Sequence, residues 1–233
     1  MWLMEVKMDG ILYGVGVGPG DPRMLTLQAV ETLQSADVIA VPDTNGEKTA
    51  LKIVRDYIKN KELLFCPMPM SRDREVLDKA HGTSCDMLEK ELSKGRNVAF
   101  ITLGDPTIYS TYMYINRIMS ERGYRTKIIP GITSFCASAG ALNISLCDRD
   151  EALMIIPASY GITDELLALK GTKVFMKSGR SMASIKDRLK EMKLYDRALM
   201  VECCSMEDEK IYRSLDDVSD DSSYFSTIII TRR

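Results

Sequence analysis

The feature that most constrains this chain is an apolar run that ends on a rigid turn: Val98-Ala99-Phe100-Ile101-Thr102-Leu103, then Gly104-Asp105-Pro106. The run is rich in β-friendly residues, long enough for a buried strand and too short for a helix of its own. Gly104 can take backbone angles that other residues avoid, Pro106 fixes its own φ, and Asp105 before a proline disfavours helix. The spacing then predicts Asp105 as an N-cap, Pro106 in the first turn, and a helix running on through Tyr109 and Tyr112. An acidic residue therefore stands at the carboxyl end of an expected central strand. In open α/β sheets, ligands bind beyond those ends.

The same alternation fills the first part of the chain. Residues 1–10 read as an extension, and residues 11–17 as a first strand. A helix from about 23 to 35 carries the apolar stripe Leu25, Ala29, Val30 and Leu33. A second strand, 37–41, ends at Pro42-Asp43, a second acid at a strand end. A helix near 48–58, a short strand at 62–65 and a proline loop carrying Arg72 and Arg74 follow. Leu77, Ala80, Ser84, Met87, Leu88 and Leu92 mark the buried face of a long helix, with His81 beside the stripe as a structural residue. Residues 126–129 read as a strand, followed by a Pro130-Gly131 turn and a helix capped by Thr133 or Ser134. Strand and helix in turn argue for a mostly parallel sheet.

Glycines 14, 16, 18 and 20 invite a dinucleotide reading, and it fails. The G-x-G-x-x-G pattern needs a third glycine five residues after the first, where Pro19 or Asp21 stands instead. Asp21 would also repel a phosphate at the helix N-terminus that follows. A cationic or uncharged ligand suits this turn better.

Composition shifts near residues 147–150, which gives an N-terminal α/β lobe over 11–147 and a C-terminal α+β lobe over 148–233. In the second lobe, strands are expected at 152–156, 172–177, 198–202, 210–214 and 224–231, with helices near 163–169 and 182–192. Its closing strands lack intervening helices, so antiparallel pairing is expected. A chain of 233 residues, 45% of them hydrophobic, can fill two such lobes. A net charge of −2 offers no basic field for nucleic acid, and no apolar run is long enough to span a bilayer. No signal-peptide core is read at the N-terminus, and the chain reads as cytoplasmic. Six cysteines without C-x-x-C spacing and a single histidine argue against a Cys/His metal site.

Four segments, in order, carry a resemblance: Tyr13 to Asp21, Ala36 to Ile39, Thr102 to Pro106, and Pro130 to Ser134. Together they are similar to the tetrapyrrole (corrin/porphyrin) methylases from about Ile11 to Arg232. The resemblance implies a two-lobed fold, a homodimer, and S-adenosylmethionine in the cleft between lobes beside a tetrapyrrole. Within the family, Pro69 to Glu75, Thr102 to Thr111, Pro157 to Tyr160, Val174 to Arg180 and Tyr224-Phe225-Ser226 resemble the C-20 methyltransferases of precorrin-2 or cobalt-factor II in cobalamin biosynthesis.

Carried over position by position, the resemblance implies cofactor contacts at Val17, Pro19, Leu103, Gly104, Asp105, Ile108, Tyr109, Thr133, Ser134, Met176, Glu202, Cys203, Cys204 and Ile228. A sulfonium and an ammonium suit acidic, carbonyl-rich strand ends. Arg72, Arg74, Lys177 and Arg180 fall in the segments that resemble the subfamily, and are candidates for the substrate's carboxylates. Asp43 is the candidate base, though its alignment with the acid some relatives place after the second strand is open. Three competing readings remain at this stage: a relative acting on another ring carbon or another acceptor, an NAD(P)-dependent oxidoreductase, and a non-catalytic binder.

Overall fold

The computed structural model describes residues 9–44, 46, 48–71, 73–158, 163–178 and 182–231. They form two compact units, divided between Ile132 and Thr133. The first unit is a five-stranded, all-parallel sheet of β1 (Ile11–Gly16), β2 (Val38–Asp43), β3 (Glu62–Pro67), β4 (Val98–Thr102) and β5 (Arg125–Ile129), in the spatial order β3-β2-β4-β1-β5. The helices between them are α1 (Leu27–Ser35), α2 (Thr49–Val54), α3 (Arg74–Leu92) and α4 (Tyr112–Glu121).

The apolar run 98–102 is the middle strand, covered on both faces. Val98 and Phe100 pack on one side with Leu12, Leu88, Leu92, Tyr112, Ile115 and Met119. Ala99 and Ile101 pack on the other with Val15, Leu33, Ile39, Val41 and Val54. Successive strand residues face opposite ways, so a strand covered on both sides needs an unbroken apolar run. On α3 the buried residues are His81, Ser84, Cys85, Leu88 and Leu92. His81 thus lies on the stripe, its ring stacked on Tyr114 of α4 at 5.2 Å and 15°.

Two helix starts differ from the sequence reading. The helix expected from Arg23 is a separate 3-10 turn at Pro22–Met24, capped by the Asp21 carboxylate, and then α1 from Leu27. Thr26 makes the break, because its hydroxyl accepts the Ala29 N–H as a helix cap. The helix expected from Pro106 starts at Tyr112. Tyr109 holds a left-handed φ of 48°, and the Ser110 hydroxyl sits 2.9 Å from that of Thr102. The chain after Pro106 is therefore folded back on β4.

The second unit opens with α5 (Ser134–Leu142), which packs on two strands of its own sheet, β8 (Ala198–Glu202) and β10 (Ser226–Ile230). That packing places the division of the units upstream of the 147/148 junction read from composition. The remaining elements are β6 (Leu153–Pro157), α6 (Asp164–Ala168), β7 (Thr172–Met176), α7 (Met182–Glu191) and β9 (Lys210–Tyr212). The sheet order is β6-β7-β10-β8-β9, with β6 and β7 parallel and every other pair antiparallel. Its core joins Phe175, Met182, Ile185, Leu189, Met200, Leu215, Ile228 and Ile230. Among the described residues, no helix is long and apolar enough to cross a membrane.

Candidate functional site

In the first unit, the chain segments leaving β1 and β4 are tied to each other by backbone, and the segment leaving β5 packs against both. The β1–β4 ladder ends at Gly16 opposite Thr102. Beyond it, the Val17 N–H donates to the Thr102 carbonyl at 3.0 Å. Gly18 and Gly104 then exchange two bonds, 2.8 Å to the Gly18 carbonyl and 3.2 Å to that of Gly104. Both glycines hold left-handed φ angles, 75° and 72°, which explains glycine at each. A Cβ on Gly16 would lie 2.6 Å from the Gly131 nitrogen and 2.7 Å from the Gly104 oxygen. A Cβ on Gly131 would lie 2.2 Å from that same oxygen. The three loops form one ledge of bare backbone. At Gly104 an added Cβ would meet nothing within 4 Å, so the ledge faces open space there.

This accounts for the glycine-rich sequence without a phosphate. Gly14 admits the ring of the fully buried Tyr112, whose Cε1 lies 2.0 Å from where a Cβ would stand. Gly16 admits the neighbouring turn.

Asp105 is 8% exposed, and its carboxylate points into the ledge. One oxygen accepts the Thr107 N–H at 2.8 Å and the Thr107 hydroxyl; the other accepts the Gly131 N–H at 2.9 Å. The N-cap role expected from sequence is not what it does. Around it, Val17 and Pro19 are buried, Leu103 and Ile108 half-buried, and Tyr109 is 43% exposed at its strained backbone position. Asp43 ends β2, and its carboxylate pairs with Lys48 Nζ at 3.2 Å. The Lys48 ammonium also stands 5.5 Å from the Phe65 ring centre, a cation–π contact. The sequence reading missed Lys48, because only the chain reversal after β2 brings it back to Asp43. Arg74 opens α3 and is exposed, whereas Arg72 lies outside the described residues.

In the second unit, Thr133 is the N-cap of α5, yet its hydroxyl is buried with no hydrogen-bond partner among the described residues, and Ser134 begins the helix. Met176 ends β7, paired with Thr227 on one side and Pro157 on the other. Lys177 follows with a left-handed φ of 60°, its ammonium 5.8 Å from the Tyr224 ring centre. Arg180 lies outside the described residues. The Glu202 carboxylate is buried: it accepts the Ser223 N–H and, at 3.2 Å, the Tyr212 hydroxyl. It holds the 223–226 turn in place. Cys203, left-handed at 51°, donates its N–H to the Phe225 carbonyl at 3.1 Å, while burial pushes the Cys204 thiol up to about 11. Ile228 lies mid-strand with its side chain in the core. Ser223 and Tyr224 are central to this arrangement; Ser223 carries little signal in a polar, irregular stretch, whereas Tyr224 falls in a segment that carries the resemblance.

Comparison with known proteins places these features in context. The model of the tetrapyrrole (corrin/porphyrin) methylases matches residues 11–218. A protein of Methanocaldococcus jannaschii named "Probable cobalt-precorrin-2 C(20)-methyltransferase" is 38% identical, the match covering 97% of this chain and 98% of that protein. The cobalt-precorrin-2 C(20)-methyltransferase of Salmonella typhimurium is 32% identical over the same shares. The uroporphyrin-III C-methyltransferase of Thermus thermophilus, solved in complex with S-adenosylhomocysteine, has the same fold. Its TM-score is 0.70 at 21% identity, covering 96% of this chain and 98% of that one.

Proposed function

The chain belongs to the tetrapyrrole (corrin/porphyrin) methylases, and from that membership we propose an S-adenosylmethionine-dependent C-methyltransferase that methylates C-20 of precorrin-2 or cobalt-factor II in cobalamin biosynthesis. The observation that carries the reading is the near-full-length identity to C(20)-methyltransferases, 38% and 32%. The glycine-rich turn is explained by backbone packing, which removes the ground for an NAD(P)-dependent oxidoreductase.

The residues suit the cofactor. When bound, S-adenosylmethionine supplies an electrophilic methyl group and leaves as S-adenosylhomocysteine. The Val17–Pro19 and Leu103–Tyr109 loops offer it bare backbone beside open space at Gly104. Thr133 offers a buried hydroxyl that no described protein group satisfies. Such a hydroxyl costs free energy unless a partner arrives. Ser134, Met176, Glu202, Cys203, Cys204 and Ile228 complete the proposed contacts, with Glu202 and Ile228 acting through backbone or fold and not through a free side chain.

Arg72, Arg74, Lys177 and Arg180 are the proposed partners of the substrate's carboxylates, since arginine offers a planar, bidentate fork. Lys177 is held at a strained backbone position, a feature common where a side chain is aimed at a ligand. Most of the acceleration comes from aligning donor and ring carbon, because C-20 of the electron-rich ring is itself the nucleophile. Asp43, held beside Lys48, is the proposed acceptor of the proton that C-20 loses. We also place the protein in the cytoplasm as a homodimer. Its cysteines are all free, which fits a reducing compartment, and the homodimer follows the family resemblance.

The test is anaerobic incubation with S-adenosylmethionine and, in parallel, precorrin-2 and cobalt-factor II, reading product mass and the NMR position of a labelled methyl. One methyl at C-20 is expected, on whichever ring the enzyme takes. A methyl at another carbon would keep the family and discard the C-20 assignment. Saturable cofactor binding with no transfer to either ring would favour the non-catalytic binder.

A further inference from the structure

We propose that Asp105 is a positioning residue: its carboxylate locks the turn after β5 onto the turn after β4 and never touches the cofactor. This deepens the proposed function and rests on it for its ligand.

An acid at the end of a central strand invites the opposite reading, a negative charge aimed at the cofactor's sulfonium or ammonium. The geometry points elsewhere. The carboxylate is buried, and three donors already face it: two backbone N–H groups at 2.8 and 2.9 Å, and the Thr107 hydroxyl. A carboxylate has about four lone-pair sites, so it is nearly saturated. Of the three donors, Gly131 lies 26 residues away in sequence, on the turn that leaves β5.

That turn is the least self-supporting part of the ledge. Gly18 and Gly104 hold each other through two backbone bonds, whereas the Gly131 N–H is tied to the Asp105 side chain. Gly131 also packs so close to Gly16 and to the Gly104 carbonyl that neither Gly16 nor Gly131 admits a side chain. Without the carboxylate, the Gly131 N–H would lose the acceptor it holds here. The turn would move outward, and the shape of the ledge would change for every ligand that rests on it.

Asp105→Asn separates the two readings. Asparagine keeps the size and can still accept from Thr107, but its amide presents a donor to the Gly131 donor. Hydrogen–deuterium exchange of the Gly131 amide in the 15N-labelled full chain is expected to quicken about tenfold or more, the equivalent of one lost charge-assisted bond. Affinities for S-adenosylmethionine, S-adenosylhomocysteine and 5′-methylthioadenosine, which lacks the amino-acid end, are expected to fall by a common factor of about ten.

Unchanged exchange with a loss confined to the two ligands bearing an amino-acid group would make Asp105 a contact and overturn the proposal. Faster exchange with all affinities intact would overturn it as well. A second measurement needs no variant: in the wild-type protein, the Gly131 amide must already exchange slowly without ligand, and fast exchange there refutes a preformed lock. Failure of all three ligands to bind the wild type would sink the proposed function, while the exchange data would still decide the lock.

Discussion

Gly16→Ala tests the ledge most directly. The new methyl carbon would stand 2.6 Å from the Gly131 nitrogen, 2.7 Å from the Gly104 oxygen and 2.8 Å from the Gly131 Cα. Ordinary contact begins near 3.4 Å, so each neighbour must retreat by roughly 0.6–0.8 Å, and all of them are backbone atoms that cannot swing aside. Overpacking of this kind costs about 1–3 kcal/mol. For a chain of this size each kcal/mol lowers Tm by about 2–4 °C, giving a fall of about 2–12 °C. The movement falls on the ledge proposed to hold the cofactor, so affinity for S-adenosylmethionine should drop further than stability does. Gly82→Ala is the control. It lies inside α3 with nothing within 4 Å of the added carbon, and should raise stability by about 0.5–1 kcal/mol with affinity unchanged. Urea unfolding and calorimetric titration of both variants decide the matter. A Gly16→Ala protein as stable as wild type, binding the cofactor equally well, would refute the close-packed ledge.

Three other perturbations follow. Asp43→Ala is expected to lower kcat by about 10² or more, as for loss of a general base, while removing a third-exposed ion pair costs at most about 1 kcal/mol; unchanged kcat would move proton removal to another group. Burial holds the His81 pKa below its ordinary 6.5, so the unfolded chain takes up a proton that the folded chain resists; stability should be full above pH 6.5 and fall as pH drops below it, and His81→Phe should flatten that slope in pH-dependent unfolding. Cys136 and Cys147 are exposed, whereas burial pushes the Cys66 thiol up to about 12 and those of Cys85 and Cys204 up to about 11, so a thiol reagent should titrate two groups quickly in the native protein and the rest only on unfolding.

Much of the fold is legible in the sequence for a simple reason. A parallel strand buried on both faces must be an apolar run, as in 98–102, and it must end where glycine, proline or a capping residue breaks it. The second unit betrayed its antiparallel pairs by consecutive strands without helices. Errors gathered where a side chain far along the chain, or a backbone angle, overrules local preference. Thr26 splits one helix by capping its own. Tyr109 and Ser110 delay another, Tyr109 by its left-handed backbone and Ser110 by a hydroxyl that reaches back to Thr102 of β4.

The site divides along the same line. Residue type and order alone fixed where the central strands end, that the glycines depart from the dinucleotide pattern, and which family the segments resemble, because these depend on short-range spacing. The direction in which the acids point was decided only in three dimensions. Asp105 and Glu202 both stand at strand ends as the sequence says, yet each turns its charge inward to hold a distant backbone N–H, Gly131 in one case and Ser223 in the other. A buried carboxylate must be satisfied by whatever donors the fold brings beside it. Those donors lie on segments 26 and 21 residues away, so no local pattern could reveal them.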